Sequence, residues 1–405
     1  MKILVLAGGA DQIALINELH MRGHEVVLLD YFDNPPAKPF ADKHIVASTL
    51  DVAAVEYYAK EEHVSLICTA CTDQALLTVS YVSERLGLPC YIDYQTGLNV
   101  TNKAYMKKVL TDNKIPTSQY AIIDKPDLKL VEKFQFPLVV KPVDCNSSKG
   151  VKKVNGDKEF IEYVEDAIKF SRTQTAIVEE FKEGIEVSAD FYVENGEAKL
   201  LCATTSQKIK NRKSFTIVGS DYPAINEMQE KEITRIATEI ATAFNLKNTP
   251  LLIQLIVGET EINVIEFSAR MGGGSKYKLI EVLSGVNIME KYVDLILGGT
   301  PTVSPEKQVD FCKMIFVYCT PGTIDHFEGL DNLVSEGYIK EYFLYKTKGM
   351  TIDKAETSGD RALGYMVVGK TLQEVERKGS YINSHIQVIS QEGIDMMMHN
   401  LMSWE

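Results

Sequence analysis

Several things are scarce in this 405-residue chain. Cysteine occurs as seven scattered residues, an odd count in a long sequence, which excludes a disulfide framework as the source of stability. No stretch approaches the ~20 consecutive apolar residues that a membrane span needs, so no membrane partner is expected. The opening run Met1-Lys2-Ile3-Leu4-Val5-Leu6-Ala7-Gly8-Gly9 is too short for a secretory signal and ends in a turn; it reads as a first strand, and the cytoplasm is the expected location. Basic charge is also short: 43 Lys and Arg against 56 Asp and Glu leave a formal net charge of −13. That excludes the broadly basic surface that grips nucleic acid or anionic lipid. Neither a P-loop nor a G-x-G-x-x-G fingerprint is present, and no spacing suggests a serine or cysteine triad. Cys68-Thr69-Ala70-Cys71 has redox-motif spacing. With no matching Cys or His pair elsewhere, it reads as two thiols at the end of a buried strand. There is no internal repeat and no low-complexity tract.

What is present is ordinary globular material, 45% hydrophobic and 24% charged, enough for two to four domains. Residues 1 to about 101 alternate apolar runs (Lys2–Leu6, Glu25–Asp30, His44–Ala47, Leu66–Cys68) with helical spacing (Ile13, Ile16, Leu19; then 73–86). This βαβ rhythm implies a parallel, Rossmann-like sheet. Lys103–Asn113 reads as a helix capped by Thr101 or Asn102. Short β-rich runs follow at 120–123, 137–141, 151–154 and 176–181, broken by one helix at 158–170. They suggest a small unit over about 115–180 with an antiparallel sheet. Ile233, Ile236, Ala237, Ile240, Ala241 and Phe244 mark an amphipathic helix over 230–244. A hairpin over 251–267 turns at Gly258-Glu259-Thr260, and a helix over 286–297 ends at Gly298-Gly299. From 300 to 405 the chain is β-rich again, with turn signals at Pro321-Gly322, Glu336-Gly337 and Lys348-Gly349.

Four clusters carry chemistry, and their order along the chain is part of the signal. Lys103 opens a helix, and Lys141 ends the apolar strand Phe136-Pro137-Leu138-Val139-Val140. An ammonium there needs a partner, and polyphosphate suits two point cations. The loop Asp144-Cys145-Asn146-Ser147-Ser148-Lys149-Gly150 offers backbone N–H groups, hydroxyls and a cation to phosphates. The run Glu179-Glu180-Phe181-Lys182-Glu183-Gly184-Ile185-Glu186 reads as a strand end, a linker and a carboxylate, able to read an adenine edge and hold ribose hydroxyls. In the hairpin, Gln254 and Glu266 fall opposite one another on one face if the turn is centred near Thr260, and Ser268 points the same way. These oxygens suit a hard cation such as Mg²⁺. Arg270, just beyond, could clamp a phosphoryl or acyl phosphate group bidentately. Taken one at a time, each cluster also has a plain reading: surface lysines, a hairpin loop, an acidic turn, a polar hairpin face.

Together the four resemble the ATP-grasp superfamily, specifically its carboxylate–amine ligase and carbamoyl-phosphate-synthase-like branch, over nearly the whole chain. The resemblance implies a Rossmann-like domain at 1–101, a two-lobed ATP-grasp domain at 102–299 with its small lobe at about 115–180, and a C-terminal α+β domain at 300–405. It implies ATP and Mg²⁺ (or Mn²⁺ as a substitute) as cofactors, with Lys103 and Lys141 on the phosphates and Ser147, Ser148, Lys149 and Gly150 as the phosphate loop. Glu179 would meet the adenine amino group, the backbone of Glu180, Phe181 and Lys182 the ring, and Glu186 the ribose. Gln254, Glu266 and Ser268 would hold the metal, and Arg270 and Lys141 would act in catalysis. Two departures stand out: Gln254 replaces the second acid of many members, and Ser268 replaces the usual Asn.

The function so implied is an ATP-dependent ligase that joins a small-molecule carboxylate to an amine as an amide, with an amino-acid or dipeptide ligase as one form, through an acyl phosphate, releasing ADP and phosphate. Phosphoryl transfer asks for positioning and charge neutralisation more than for a protein nucleophile. A carbamoyl-phosphate-synthase-like or glycinamide-ribonucleotide-synthetase-like ligase is the alternative within that class. From other classes come a noncatalytic ATP-binding regulator and an NAD-dependent oxidoreductase. The latter is suggested by Gly8-Gly9 and by Asp30 at a strand end, and would be testable by Trp404 fluorescence. Lys208, Lys210, Arg212 and Lys213 could form a substrate loop or a solvated basic face. The resemblance also carries an expectation of a homodimer.

Overall fold

The structure is a computed structural model and describes residues 1–145, 150–209 and 216–401. Ser147, Ser148 and Lys149 of the expected phosphate loop, Lys210, Arg212 and Lys213 of the basic segment, and Trp404 lie outside the described residues.

Continuous apolar strands need cover on both faces, and the first domain provides it. Lys2–Leu6, Glu25–Asp30, Lys43–Val46 and Leu66–Cys68 form one parallel sheet in the order Lys43–Val46, Glu25–Asp30, Lys2–Leu6, Leu66–Cys68. Ile3 to Leu6 and Val26 to Leu29 are wholly buried beneath helices at Ala10–Met21, Val52–Glu61 and Asp73–Leu86. A helix at Tyr94–Thr101 follows, which the sequence did not signal. Asn102 ends it and starts the next, Lys103–Asp112, by accepting the Ala104 N–H at 2.9 Å. Asn102 is therefore the cap, not Thr101, and it fixes where the ammonium of Lys103 emerges.

The small antiparallel unit forms as expected. Its sheet order is Tyr120–Ile123, Ala176–Glu180, Leu138–Pro142, Lys152–Val154. The helix Asp157–Phe170 lays Phe160, Val164 and Ala167 on Val140 and Val178, making a separate core. The larger unit is an antiparallel sheet in the order Glu197–Thr205, Ile185–Glu194, Thr249–Val257, Ile262–Ser268. One face is closed by the helix Glu227–Ala243, whose Ile233, Ile236, Ala237, Ile240 and Ala241 are fully buried. The other face is left for the site.

The C-terminal region does not begin cleanly at residue 300. Its main sheet runs Gln207–Lys208, Ile217–Tyr222, Phe311–Val317, Leu363–Gly369, Glu341–Leu344, so two strands that precede residue 299 in sequence pair into it. A single hydrophobic cluster also spans Leu15, Tyr192, Tyr292 and Met314. The regions are therefore packed against one another through a shared core. No helix among the described residues is long and apolar enough to cross a membrane.

Candidate active site

The hairpin carries the metal-type oxygens, and its register is unusual. Leu252 lies opposite Ser268, Ile253 opposite Phe267 and Gln254 opposite Glu266. The next pair is Leu255 with Val264, so Ile265 has no opposite number. The turn itself closes by Gly258 N–H donating to the Glu261 carbonyl at 2.9 Å, which centres it between Glu259 and Thr260. Continued without interruption, that register would set Gln254 against Ile265. The bulge at Ile265 shifts the strand by one residue. It lets Val264 and Phe267, three apart, both enter the core beside Leu255 and Ile253, while Glu266 and Ser268 turn to the other face with Gln254. The expected pairing of Gln254 with Glu266 holds, but through a bulge rather than a turn centred on Thr260.

That face lines a cavity of about 750 Å³ together with Lys103, Arg270 and Lys276. The Lys103 ammonium lies 3.0 Å from Glu266 Oε2 and donates to the Cys145 carbonyl at 2.8 Å. Burial alone would lower its pKa, but Glu266, with Asp73 and Glu179 beyond, raises it above the ordinary lysine value. The ammonium is therefore held charged. Arg270 Nε donates to Asp73 Oδ1 at 2.7 Å, Nη2 donates to Asp73 Oδ2, and Nη1 donates to the Met271 carbonyl at 2.6 Å. The fork that was expected to clamp a phosphoryl group bidentately is thus engaged by Asp73 from the first domain. Three of its five N–H groups are committed, and two remain for another oxygen.

Lys141 does not line this cavity. Its Nζ lies 3.0 Å from Glu179 Oε1, and the other oxygen of Glu179 is 3.2 Å from Lys107 Nζ. Lys107 also reaches Thr117 Oγ1 at 2.6 Å and the Val264 carbonyl at 3.3 Å. Lys107 was not foreseen, although it stands four residues after Lys103, on the same side of one helix. The buried set Lys107–Glu179–Lys141 ties the small unit to that helix. Glu179, expected to face an adenine amino group, has both oxygens on lysines. Burial alone would raise its pKa, but the two ammoniums hold it below the ordinary carboxylate value.

The remaining expected residues are spread along the approach. Glu180 N–H donates to the Gln119 carbonyl and Phe181 N–H to the Pro137 carbonyl, each at 3.1 Å. Of the three linker residues expected to read a ring through their backbone, two have their N–H groups committed. The Lys182 ammonium meets Glu261 at 3.1 Å, and Glu186 accepts from Lys208. Gly150, at φ 73°, leaves no room for a side chain: a Cβ there would lie 2.8 Å from Pro142 Cγ. Cys71 lines the cavity and Cys68 is buried in the strand; burial pushes the Cys71 thiol well up, so neither behaves as a reactive thiolate. Asp30, on which the dinucleotide reading leaned, serves the fold: its oxygens accept from Gly8 N–H at 2.7 Å and Phe32 N–H at 2.8 Å, and Pro35 packs where a Gly8 Cβ would lie, at 2.6 Å.

Arg361 and Lys276 also line the cavity and were not foreseen. Lys276 follows the glycine run by two residues, a signal that could have been read. Arg361 lies 85 or more residues from every other charged residue lining the cavity, and no local pattern marks it.

Residues 134–278 match the family model of the ATP-grasp domain. A phosphoribosylamine–glycine ligase of Pyrococcus abyssi is 23% identical over 403 residues, an alignment covering 93% of this chain and 90% of that one. Among solved structures, phosphoribosylglycinamide synthetase from Anaerococcus prevotii superposes with a TM-score of 0.76 at 19% identity, over 96% of this chain and 99% of that one. L-amino acid ligase from Bacillus licheniformis does so at 0.79 and 20%, over 96% and 98%. The matched segment and the near full-length likeness lead to one conclusion: residues 134–278 are an ATP-grasp domain, set in a chain that is similar along nearly its whole length to ATP-dependent ligases.

Proposed function

We propose that the protein joins a carboxylate to an amine at the expense of ATP. The observation that carries this is the arrival of Lys103, Glu266, Gln254 and Arg270 on the walls of one cavity from separate segments of the chain. Among the described residues no three His, Cys, Asp or Glu side chains gather as a ready metal nest. The oxygens present are one carboxylate, one amide and one hydroxyl on a single face. That set fits Mg²⁺, which is satisfied by one or two carboxylates plus water and substrate phosphates. It would not fit a softer ion that wants thiolate or imidazole. Gln254, Glu266 and Ser268 would hold magnesium (or Mn²⁺), which would supply positive charge to offset the charge that develops on transfer.

The chain's own part is positioning and charge. Lys103, kept charged by Glu266, meets the phosphates. A substrate carboxylate oxygen attacks the γ-phosphorus and the bond to ADP breaks. Arg270, fixed in angle by Asp73, presents its two remaining N–H groups to the acyl phosphate oxygens. The amine nitrogen then attacks the acyl carbon, the C–O bond to phosphate breaks, and the nitrogen proton leaves with phosphate or solvent. Lys141 and Glu179 serve this scheme indirectly, by fixing the small unit and the backbone linker through Lys182. Within the class, a glycinamide-type ligase is the finer reading, supported by phosphoribosylamine–glycine ligases among the relatives that match over nearly the full length.

The test is ADP release from ATP across a panel of amino acids, small carboxylates and amines, with and without Mg²⁺. Magnesium-dependent ADP and phosphate in equal amounts, requiring both a carboxylate and an amine, is the expected result. ATP binding with no ADP from any pair would replace the ligase by a nucleotide-binding regulator.

A further inference from the structure

Just past the strand Leu138–Pro142, the small unit is gripped from both sides of the cavity. Gln74, in the first domain, donates its amide Nε2 to the Asp144 carbonyl at 3.0 Å. Among the described residues this is the one hydrogen bond between residues 1–101 and the small unit. Asp144 is 6% exposed and is fixed within its own unit. Its carbonyl also accepts from Arg172 Nη2 at 3.2 Å, and its Oδ2 accepts the Arg172 backbone N–H at 3.0 Å. On either side of it, Lys103 takes the neighbouring carbonyls. The Lys103 backbone N–H donates to Val143 at 3.0 Å, and its ammonium donates to Cys145 at 2.8 Å. That ammonium is also the partner of Glu266, 3.0 Å away.

Gln74 shares its helix end with Asp73. The two are consecutive in the first turn of Asp73–Leu86, about 100° apart around the axis, so one helix end reaches two neighbours at once. Asp73 takes the Arg270 guanidinium, from Nε at 2.7 Å and from Nη2, while Gln74 takes Asp144. The helix behind them is packed through Ala75, Leu76, Val79 and Val82, each at most 2% exposed. A close-packed helix moves as one piece, so a displacement of Asp73 is passed to Gln74. Two routes therefore run from the hairpin to the small unit. Glu266 reaches it through Lys103, and Arg270 reaches it through Asp73 and Gln74. The second route ends in a neutral amide and a backbone carbonyl, neither of which the transfer scheme uses. The element with two arrangements is the small unit, engaged with Gln74 or released from it.

We propose that Gln74 is a positioning residue through which an anion on Arg270 and a nucleotide under the small unit strengthen each other's binding. This rests on the ATP reading for the identity of the nucleotide, but it can be tested without turnover. The probes are MgADP and inorganic phosphate. MgADP affinity is measured calorimetrically with and without phosphate, and phosphate affinity with and without MgADP. In the wild type each ligand is expected to tighten the other by the same factor, about fivefold or more. Gln74→Met keeps the length of the side chain and loses the donor. It should bring both factors below about twofold, while phosphate binding to the nucleotide-free protein stays within about twofold of wild type because the Asp73–Arg270 fork remains. Gln74→Lys, which can again donate to the Asp144 carbonyl, should restore part of the coupling. Melting temperatures show that both variants fold. Phosphate without effect on the wild-type affinity for MgADP overturns the proposal. So does a Gln74→Met variant that loses MgADP affinity equally with and without phosphate, the mark of a contact that only supports the fold. No MgADP binding by the wild type overturns it together with the nucleotide reading. Coupling that depends on Gln74, with no ADP release from any substrate pair, supports it and removes the ligase reading instead.

Discussion

Glu266→Gln is expected to lower kcat for ADP release by about a thousandfold, the scale seen when one preorganised charge-stabilising group is lost from an active site. Two effects combine. Glu266 is the one carboxylate on the hairpin face, so its amide leaves only neutral oxygens for a divalent ion. It is also the counter-ion of Lys103, 3.0 Å away, whose charge it sustains against burial. With that support gone, the ammonium's pKa falls and its grip on phosphate weakens with it. The expected pattern is a loss in kcat with a magnesium requirement shifted to higher concentration, while the melting temperature changes little, because the Glu266 side chain is one-third exposed. Glu266→Asp, which keeps the charge but shortens the arm, should recover part of the rate. A Glu266→Gln enzyme retaining more than a tenth of wild-type kcat at equal magnesium would show that the hairpin face does not hold the metal.

Glu179→Leu is expected to act on stability, by about 3 to 5 kcal/mol, because it strands charges that are already out of water. Lys107 and Lys141 side chains are 1% and 8% exposed, and Glu179 is their shared carboxylate. The measurement is denaturant unfolding without nucleotide, so any part Glu179 plays in binding ATP does not enter. A control decides the cause. The triple variant Lys107→Met, Glu179→Leu, Lys141→Met removes every charge together and should recover most of the loss. If the triple variant is no better than the single one, packing rather than charge explains the defect. The pH dependence has a definite sign. The folded pKa of Glu179 lies below its unfolded value of 4.5. Its contribution is therefore complete above pH 4.5 and lost as pH falls through the folded value. The gap between wild type and Glu179→Leu should be flat near neutrality and close below pH 4.5.

What could be read from the chain was whatever local spacing determines. Asn102 followed by an apolar-periodic run fixes where Lys103 emerges, and two β-runs flanking Gly258-Glu259-Thr260 give the hairpin, whose bulge at Ile265 then sets Gln254 opposite Glu266. The alternating first hundred residues give the parallel sheet. What could not be read depends on contacts between distant segments. Asp73 and Arg270 are 197 positions apart, and nothing near either residue announces the other. A lysine ending a buried strand needs an anion, and the one that meets Lys141 is Glu179, from a strand 38 positions on. Likewise the strand Ile217–Tyr222 has ordinary β character, and only tertiary pairing assigns it to the C-terminal sheet.

The unpaired Ile265 gives this hairpin an arithmetic constraint. Side chains alternate sides strictly along a strand, so Val264 and Glu266, two apart, would ordinarily share a face, and here one supernumerary residue lets them part. Flattening the bulge with Ile265 kept would swing Glu266 and Ser268 into the oily interior and bring Phe267 out to the nucleotide side, whereas excising Ile265 would set Glu266 directly after Val264 and leave both facing as they do. This arm of the protein should therefore accept the loss of that one residue, while a slip of its pairing by one would strip the cavity wall of its oxygens.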